Sequence, residues 1–178
     1  MTGSGPRREI VFFTGGARSG KSRLAQERTE RWEGRLLYIA TAQVRDREMR
    51  DRVDKHRRDR GPRWDTREEP LELAAALQDA EAYGGALLDC LTLWTSNLLE
   101  ACGDDEGRVR AAVDGLLEAL EGYRGRLSVV TNEVGSGIVP ANALARRFRD
   151  WAGWINQAVA ARASEAFLVA SGLPLRLK

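Results

Sequence analysis

With 178 residues, 43% of them hydrophobic and 30% charged, the chain has the size and composition of one soluble globular domain. Its 28 lysines and arginines stand against 26 aspartates and glutamates, and the net charge of +2 gives no broad field toward nucleic acid or an anionic membrane. The two cysteines, Cys90 and Cys102, are too few for a disulfide framework and wrongly placed for zinc, and they fit a reducing, cytoplasmic setting.

Met1 to Arg8 is short and polar, with only a brief apolar run after it. It is expected to be a frayed tail, neither signal peptide nor membrane anchor. Residues 9–178 carry no repeat, low-complexity tract or linker and read as one domain. The run EIVFFT (Glu9 to Thr14) has strand length and nearly continuous hydrophobicity, which suits a strand buried on both faces. RLLYIAT (Arg35 to Thr41), ALLDC (Ala86 to Cys90), LSVVTN (Leu127 to Asn132) and AFLVAS (Ala166 to Ser171) repeat that pattern.

Directly after the first run comes TGGARSGKSRLA. Gly15, Gly16, Ala17, Arg18, Ser19, Gly20, Lys21 and Ser22 match the phosphate-loop pattern G-x-x-x-x-G-K-[ST], with a strand entering and a helix (KSRLAQERTERW) leaving. The glycines let backbone N–H groups turn toward a phosphate, and the helix N-terminus adds partial positive charge. Lys21 is expected to reach the β- and γ-phosphates and the Ser22 hydroxyl to hold Mg²⁺. The bland alternative is a glycine-rich turn with no ligand.

The segment Arg45 to Arg60 carries eight basic and five acidic residues and the chain's one histidine, His56. As a helix it puts Met49, Val53 and His56 on one face. Such a histidine is open to two readings, packing or chemistry, and spacing does not decide between them. Arg57, Arg58 and Arg60 lie just beyond it, and their guanidinium groups suit phosphate oxygens.

Pro70 is expected at the start of a helix (PLELAAALQDAEA), with Gly84 and Gly85 stopping the chain before the next strand. Asp89 closes a strand, as a metal-coordinating carboxylate would, and Glu133 is a second acid at a strand's C-terminal edge, where ligands collect in open α/β sheets. Capping of the following helix is the alternative role for either acid. A second helical pattern runs from Arg108 (RVRAAVDGLLEALEGY). ARRFRDWAGWINQ brings Arg146, Arg147 and Arg149 beside Trp151 and Trp154, either for contact with phosphate or substrate or as a helix packing its tryptophans. The terminal LPLRLK reads as an edge strand or hairpin partner. Alternating strands and helices predict an α/β fold, a mostly parallel sheet covered on both faces.

Taken together, TGGARSGKSRLA, LYIATAQ, DREMRDRVDKHRRDR, LLDCLTLWTSNLL, TNEVGSGIVPANALARRFRDWAGWINQ and FLVASGLPLRLK resemble, in that order, the bifunctional adenosylcobinamide kinase/adenosylcobinamide-phosphate guanylyltransferase family of cobalamin biosynthesis. The resemblance runs from about Ile10 to Lys178. It implies a RecA-like P-loop domain, assembled as a homotrimer, with Mg²⁺ and with GTP and ATP among its substrates. The first implied reaction phosphorylates the aminopropanol hydroxyl of adenosylcobinamide. In the second, GMP passes from GTP to that phosphate through a covalent intermediate on the family's histidine, here His56.

By resemblance, nucleotide contacts extend beyond the phosphate loop to Ala40, Thr41, Ala42, Arg57, Arg58, Asp59, Arg60, Glu68 and Asp89, with Ser22 and Asp89 at the metal. The family's acid at the Asp89 position is often glutamate, so this side chain is one methylene shorter. Two other readings remain at this stage: a P-loop kinase of another small alcohol with a structural His56, and a nucleotide-dependent switch without transfer chemistry.

Overall fold

The structure, a computed structural model, describes residues 8–43 and 60–178. His56, Arg57, Arg58, Asp59 and the helix expected around them lie outside the described residues, as do residues 1–7 of the expected tail. Arg8, the last residue of that tail, donates from its guanidinium to the carbonyls of Leu120 and Arg162.

Each of the five apolar runs is a strand: β1 (Glu9–Gly15), β2 (Leu36–Ala40), β4 (Gly85–Asp89), β5 (Arg126–Val130) and β6 (Glu165–Ala170). Two more complete the sheet. LPLRLK supplies β7 (Leu173–Arg176), antiparallel to β6 as a hairpin. The other, β3 (Trp64–Glu68), was not anticipated. Its sequence WDTRE has no apolar run because the strand pairs on one side only, with β2, and polar side chains are tolerated at a sheet rim.

The described helices are α1 (Lys21–Glu30), α2 (Leu73–Ala80), α3 (Leu91–Cys102), α4 (Glu106–Gly122) and α5 (Ala143–Arg162). Pro70 does not open α2. The Glu69 carboxylate accepts from the N–H groups of Leu71 and Glu72, at 3.3 and 2.9 Å, which holds Pro70 outside the helix. Asp105 caps α4 and Asn142 caps α5, each through a side-chain oxygen accepting a backbone N–H three residues on.

The strand order is β3-β2-β4-β5-β1-β6-β7, parallel except for the last pair. With β5 between the phosphate-loop strand β1 and the strand ending in Asp89, this is the RecA-like order of P-loop domains. Alternation along each strand fills two cores. Ile10, Phe12, Leu37, Ile39, Leu88 and Val129 face the four helices α2 to α5, and Val11, Phe13, Leu36, Leu87 and Val130 face the α1 side. The chain leaves β1 toward one face and β5 toward the other. The crevice between the C-terminal ends of these neighbours is therefore the switch point at which open α/β sheets bind ligands.

The paired glycines are needed for space rather than merely as a stop. A Cβ at Gly84 would run into the backbone carbonyl of Glu33, and one at Gly85, already the first residue of β4, would enter the Trp32 ring. Gly115, inside α4, has nothing near its open Cβ position. Gly84→Ala is therefore expected to cost about 1–3 kcal/mol, seen as a lower midpoint in thermal unfolding. Gly115→Ala is expected to raise the midpoint, by about 1 kcal/mol of helix propensity.

Candidate active site

The turn from β1 into α1 is built as an anion cradle. Gly20, the residue before α1, has φ of 96° and no side chain to cap the helix, whose first turn carries no acid. The leading N–H groups of α1 thus have no side-chain cap and no acid within their own turn. A Cβ at Gly20 would be both in a strained backbone region and 3.2 Å from Gly172 Cα. At Gly15 a Cβ would collide with the Val169 carbonyl and lie 2.8 Å from Ser19 Oγ.

Lys21 is buried, 8% exposed, and its ammonium donates to the Gly16 carbonyl at 3.0 Å. Burial pushes its pKa below the ordinary lysine value, against the upward pull of neighbouring Cys90 and Asp89. An amine desolvated to this extent gains from an added anion. Thr14 Oγ1, at the end of β1, and Ser19 Oγ, in the loop, are buried without a hydrogen-bond partner among the described residues. Ser22 stands partly buried at the second position of α1.

The strand register carries the other candidates to the same edge. Glu68, Ala40 and Asp89 are direct partners across β3, β2 and β4. Glu68 is exposed, Ala40 buried and Ala42 half-buried. Thr41 is fully buried, and its hydroxyl donates to the Cys90 carbonyl at 2.7 Å and accepts from the Cys90 N–H at 2.8 Å. That hydroxyl is committed to tying β2 to β4. The Asp89–Cys90 peptide is cis. The Cys90 thiol is pushed up to about 11, first by burial and then by the Asp89 charge.

Asp89 accepts a hydrogen bond from the Tyr38 hydroxyl at 3.1 Å. Burial, with Asp89 adding to it against Arg60, raises the Tyr38 pKa well above its ordinary value, so the phenol keeps the proton it donates. Arg60 is buried and lies over the Tyr38 ring, 3.6 Å from its centroid, with Nη2 3.4 Å from Thr66 Oγ1. The arginine expected at phosphate is thus stacked on the phenol that donates to Asp89. Ser22 and Asp89 offer one hydroxyl and one carboxylate, a hard oxygen set of the kind Mg²⁺ takes when it shares substrate phosphates.

Several supports have no signature in the sequence. Thr92, Thr131, Asn132 and Asn156 form a closed buried ring: Thr92 donates to Thr131, Thr131 to Asn156 Oδ1, Asn156 Nδ2 to the Asn132 carbonyl, and Asn132 N–H to Thr92 Oγ1. The ring fixes the segment after β5, which bonds to β1 through Thr131 N–H to Phe13 O and Glu133 N–H to Gly15 O, each 3.0 Å. Glu133 therefore touches the phosphate loop through its backbone, while its exposed carboxylate accepts from Gly135 N–H. Gly172 N–H donates to Ser19 O at 2.8 Å, so the β6–β7 turn braces the loop from the other side. Asn97 Nδ2 donates to the carbonyls of Thr41 and Pro70, pinning the ends of two connections to α3. Pairs of polar residues far apart in sequence make these contacts, and no local spacing marks them.

The arginines of α5 have other partners. Arg147 bonds to Glu106, Asp104 and the Gly103 carbonyl, Arg146 to the carbonyls of Pro140 and Ala141, and Arg149 pairs with Asp150. Trp151 is buried and Trp154 is partly exposed, in edge contact with it. A groove of about 580 Å³ between α3 and the start of α5 is lined by Leu99, Leu144, Arg147 and Phe148, and no phosphate-loop residue lines it. Among the described residues no helix is long and apolar enough to cross a membrane, and both cysteines are free thiols.

Comparison with known proteins shows the family of the chain. Residues 11–177 match the family described as cobinamide kinase / cobinamide phosphate guanyltransferase. The bifunctional adenosylcobalamin biosynthesis protein CobP of Pseudomonas aeruginosa is 48% identical over 96% of this chain and 97% of its own. The bifunctional adenosylcobalamin biosynthesis proteins CobU of Escherichia coli and Salmonella typhimurium are 39% and 40% identical, each over 95% of this chain and 99% of theirs. The crystal structure of the DnaC helicase loader overlaps 90% of this chain and 78% of its own at a TM-score of 0.43 and 11% identity, a likeness too slight to bear on function. With the match running almost end to end, the chain belongs to the cobinamide kinase / cobinamide phosphate guanyltransferase family.

Proposed function

We propose that one phosphate cradle in this chain serves two transfers in turn: phosphorylation of the aminopropanol hydroxyl of adenosylcobinamide, then transfer of GMP from GTP to the phosphate so made. The observation that carries this reading is the buried Lys21 ammonium at the uncapped start of α1, bonded to the Gly16 carbonyl and held below its ordinary pKa by burial although Cys90 and Asp89 pull the other way. In the first transfer the substrate hydroxyl oxygen attacks the γ-phosphorus of ATP or GTP. The bond from the γ-phosphorus to the bridging oxygen breaks, the nucleoside diphosphate leaves, and the hydroxyl proton passes to solvent. Loop amides from Gly15 to Ser22 and the Lys21 ammonium take up the charge spread over the phosphate oxygens.

In the second transfer an imidazole nitrogen of His56 attacks the α-phosphorus of GTP, and pyrophosphate leaves into the same cradle. An oxygen of the substrate phosphate then attacks that phosphorus, the P–N bond breaks, and the imidazole returns to its starting state with adenosylcobinamide-GDP as product. Arg57, Arg58 and Arg60, with Asp59 among them, are assigned to the α-phosphate neighbourhood, and Ala40, Thr41, Ala42 and Glu68 to the nucleoside. Arg60 supports the assignment of His56: its guanidinium is stacked on Tyr38, which donates to Asp89, and four residues of fully extended chain reach about 14 Å.

Mg²⁺, held by Ser22 and Asp89, would neutralise the phosphate oxygens in both transfers. The same reading includes a homotrimer, for which the exposed Ile138, Val139 and Leu144 offer apolar surface, and residence in the cytoplasm.

Lys21→Ala is expected to lower kcat of both transfers by roughly 10²–10³-fold, the scale of losing one preorganised charge donor. Full activity in either transfer would separate the two sites. Incubation with α-labelled GTP should leave acid-labile, base-stable label on the protein, and His56→Ala should abolish label and GMP transfer while sparing the kinase reaction. Label that survives the substitution would remove His56 as nucleophile.

A further inference from the structure

Three strands contribute to one stack that ends on Asp89. Tyr38 is the middle residue of β2, paired in register with Thr66 on β3 and Leu87 on β4. Its hydroxyl donates to Asp89 Oδ2 at 3.1 Å. Against its ring lies the Arg60 guanidinium, 3.6 Å from the centroid, with Arg60 Nη2 3.4 Å from Thr66. Trp64 closes the ring's surroundings in edge contact, with centroids 6.3 Å apart.

A phenylalanine would serve the packing equally well, since the ring alone carries the arginine and the tryptophan contact. The hydroxyl needs its own explanation. Among the described residues it is the only side-chain donor on the Asp89 carboxylate, and it occupies Oδ2 only. A carboxylate on a single-methylene stem can rotate about its terminal torsion. One donor on one oxygen restrains that torsion and leaves Oδ1 without a donor among the described residues. Partners of this kind, behind a metal-facing carboxylate, commonly set its orientation and affinity.

We propose that Tyr38 is a positioning residue for both transfers: its hydroxyl sets the orientation of the Asp89 carboxylate at the phosphate site, and Arg60 holds the ring so that the hydroxyl stays in place. The inference rests on the reading of Asp89 as the carboxylate that meets the metal. It assigns Tyr38 no contact with substrate, and it predicts that the two faces of one side chain can be separated by mutation.

The test is Mn²⁺ binding to the full chain in the presence of a non-hydrolysable GTP analogue, followed by electron paramagnetic resonance, with thermal midpoints measured alongside. Tyr38→Phe keeps the ring and removes the donor, and is expected to weaken Mn²⁺ binding about tenfold with little change in the midpoint. Arg60→Met, titrated with Mn²⁺ in the absence of nucleotide so that its assigned α-phosphate contact plays no part, keeps the donor and frees the ring, and is expected to give a smaller loss. Asp89→Asn calibrates the assay. If Asp89→Asn weakens Mn²⁺ binding and Tyr38→Phe changes it less than twofold, the role of Tyr38 is overturned while the reading of Asp89 stands. If Asp89→Asn itself changes nothing, that reading fails and the proposal falls with it. A Tyr38→Phe loss that Arg60→Met does not share at all would keep the hydroxyl's role and overturn the part given to Arg60.

Discussion

A lysine amine held out of water at the start of a helix is the constraint around which the rest of this molecule is arranged. Lys21 has the Gly16 carbonyl as its hydrogen-bond partner and a neighbouring carboxylate at Asp89, and burial works against its charge. Such an arrangement is costly unless anionic oxygens complete it. The glycines at Gly15 and Gly20 bring the backbone close enough to do so, and each is hemmed in by its own neighbour, Val169 on one side and Gly172 on the other. The cradle is therefore set by the sheet and its turns as much as by the loop.

That dependence explains the buried polar ring of Thr92, Thr131, Asn132 and Asn156. A polar network in a core is stabilising only when every member is satisfied, and this one closes on itself. It ties α3 and α5 to the segment after β5, which in turn bonds to Phe13 and Gly15. Thr41 performs the same task between β2 and β4 with one hydroxyl. The C-terminal edge of the sheet is thereby tied together at β1, β5, β2 and β4.

Much of this was legible in the sequence, for identifiable reasons. Strands buried on both faces announce themselves by continuous apolar runs, so β1, β2, β4, β5 and β6 could be read directly, and the phosphate loop follows from residue types at fixed spacing. The strand β3 was not legible, because WDTRE lies at the rim and its charged side chains, Asp65 with Arg35 and Arg67 with Glu69, are satisfied at the surface. Pro70 suggested a helix start that the Glu69 carboxylate displaces toward Leu73. Within the site, Lys21 and Asp89 carried local signals. Tyr38 did not: it looks like one more aromatic in a strand, and only the register of three strands gives its hydroxyl a partner.

The central claim is that one cradle holds the triphosphate for both transfers. Calorimetric titration of the full chain with a non-hydrolysable GTP analogue, repeated in the presence of a saturating non-hydrolysable ATP analogue, tests it most directly. The account predicts one nucleotide per chain, mutually exclusive binding of the two analogues, and loss of both in Lys21→Ala. Two independent sites per chain, or GTP-analogue binding undiminished by the ATP analogue and by loss of Lys21, would contradict it.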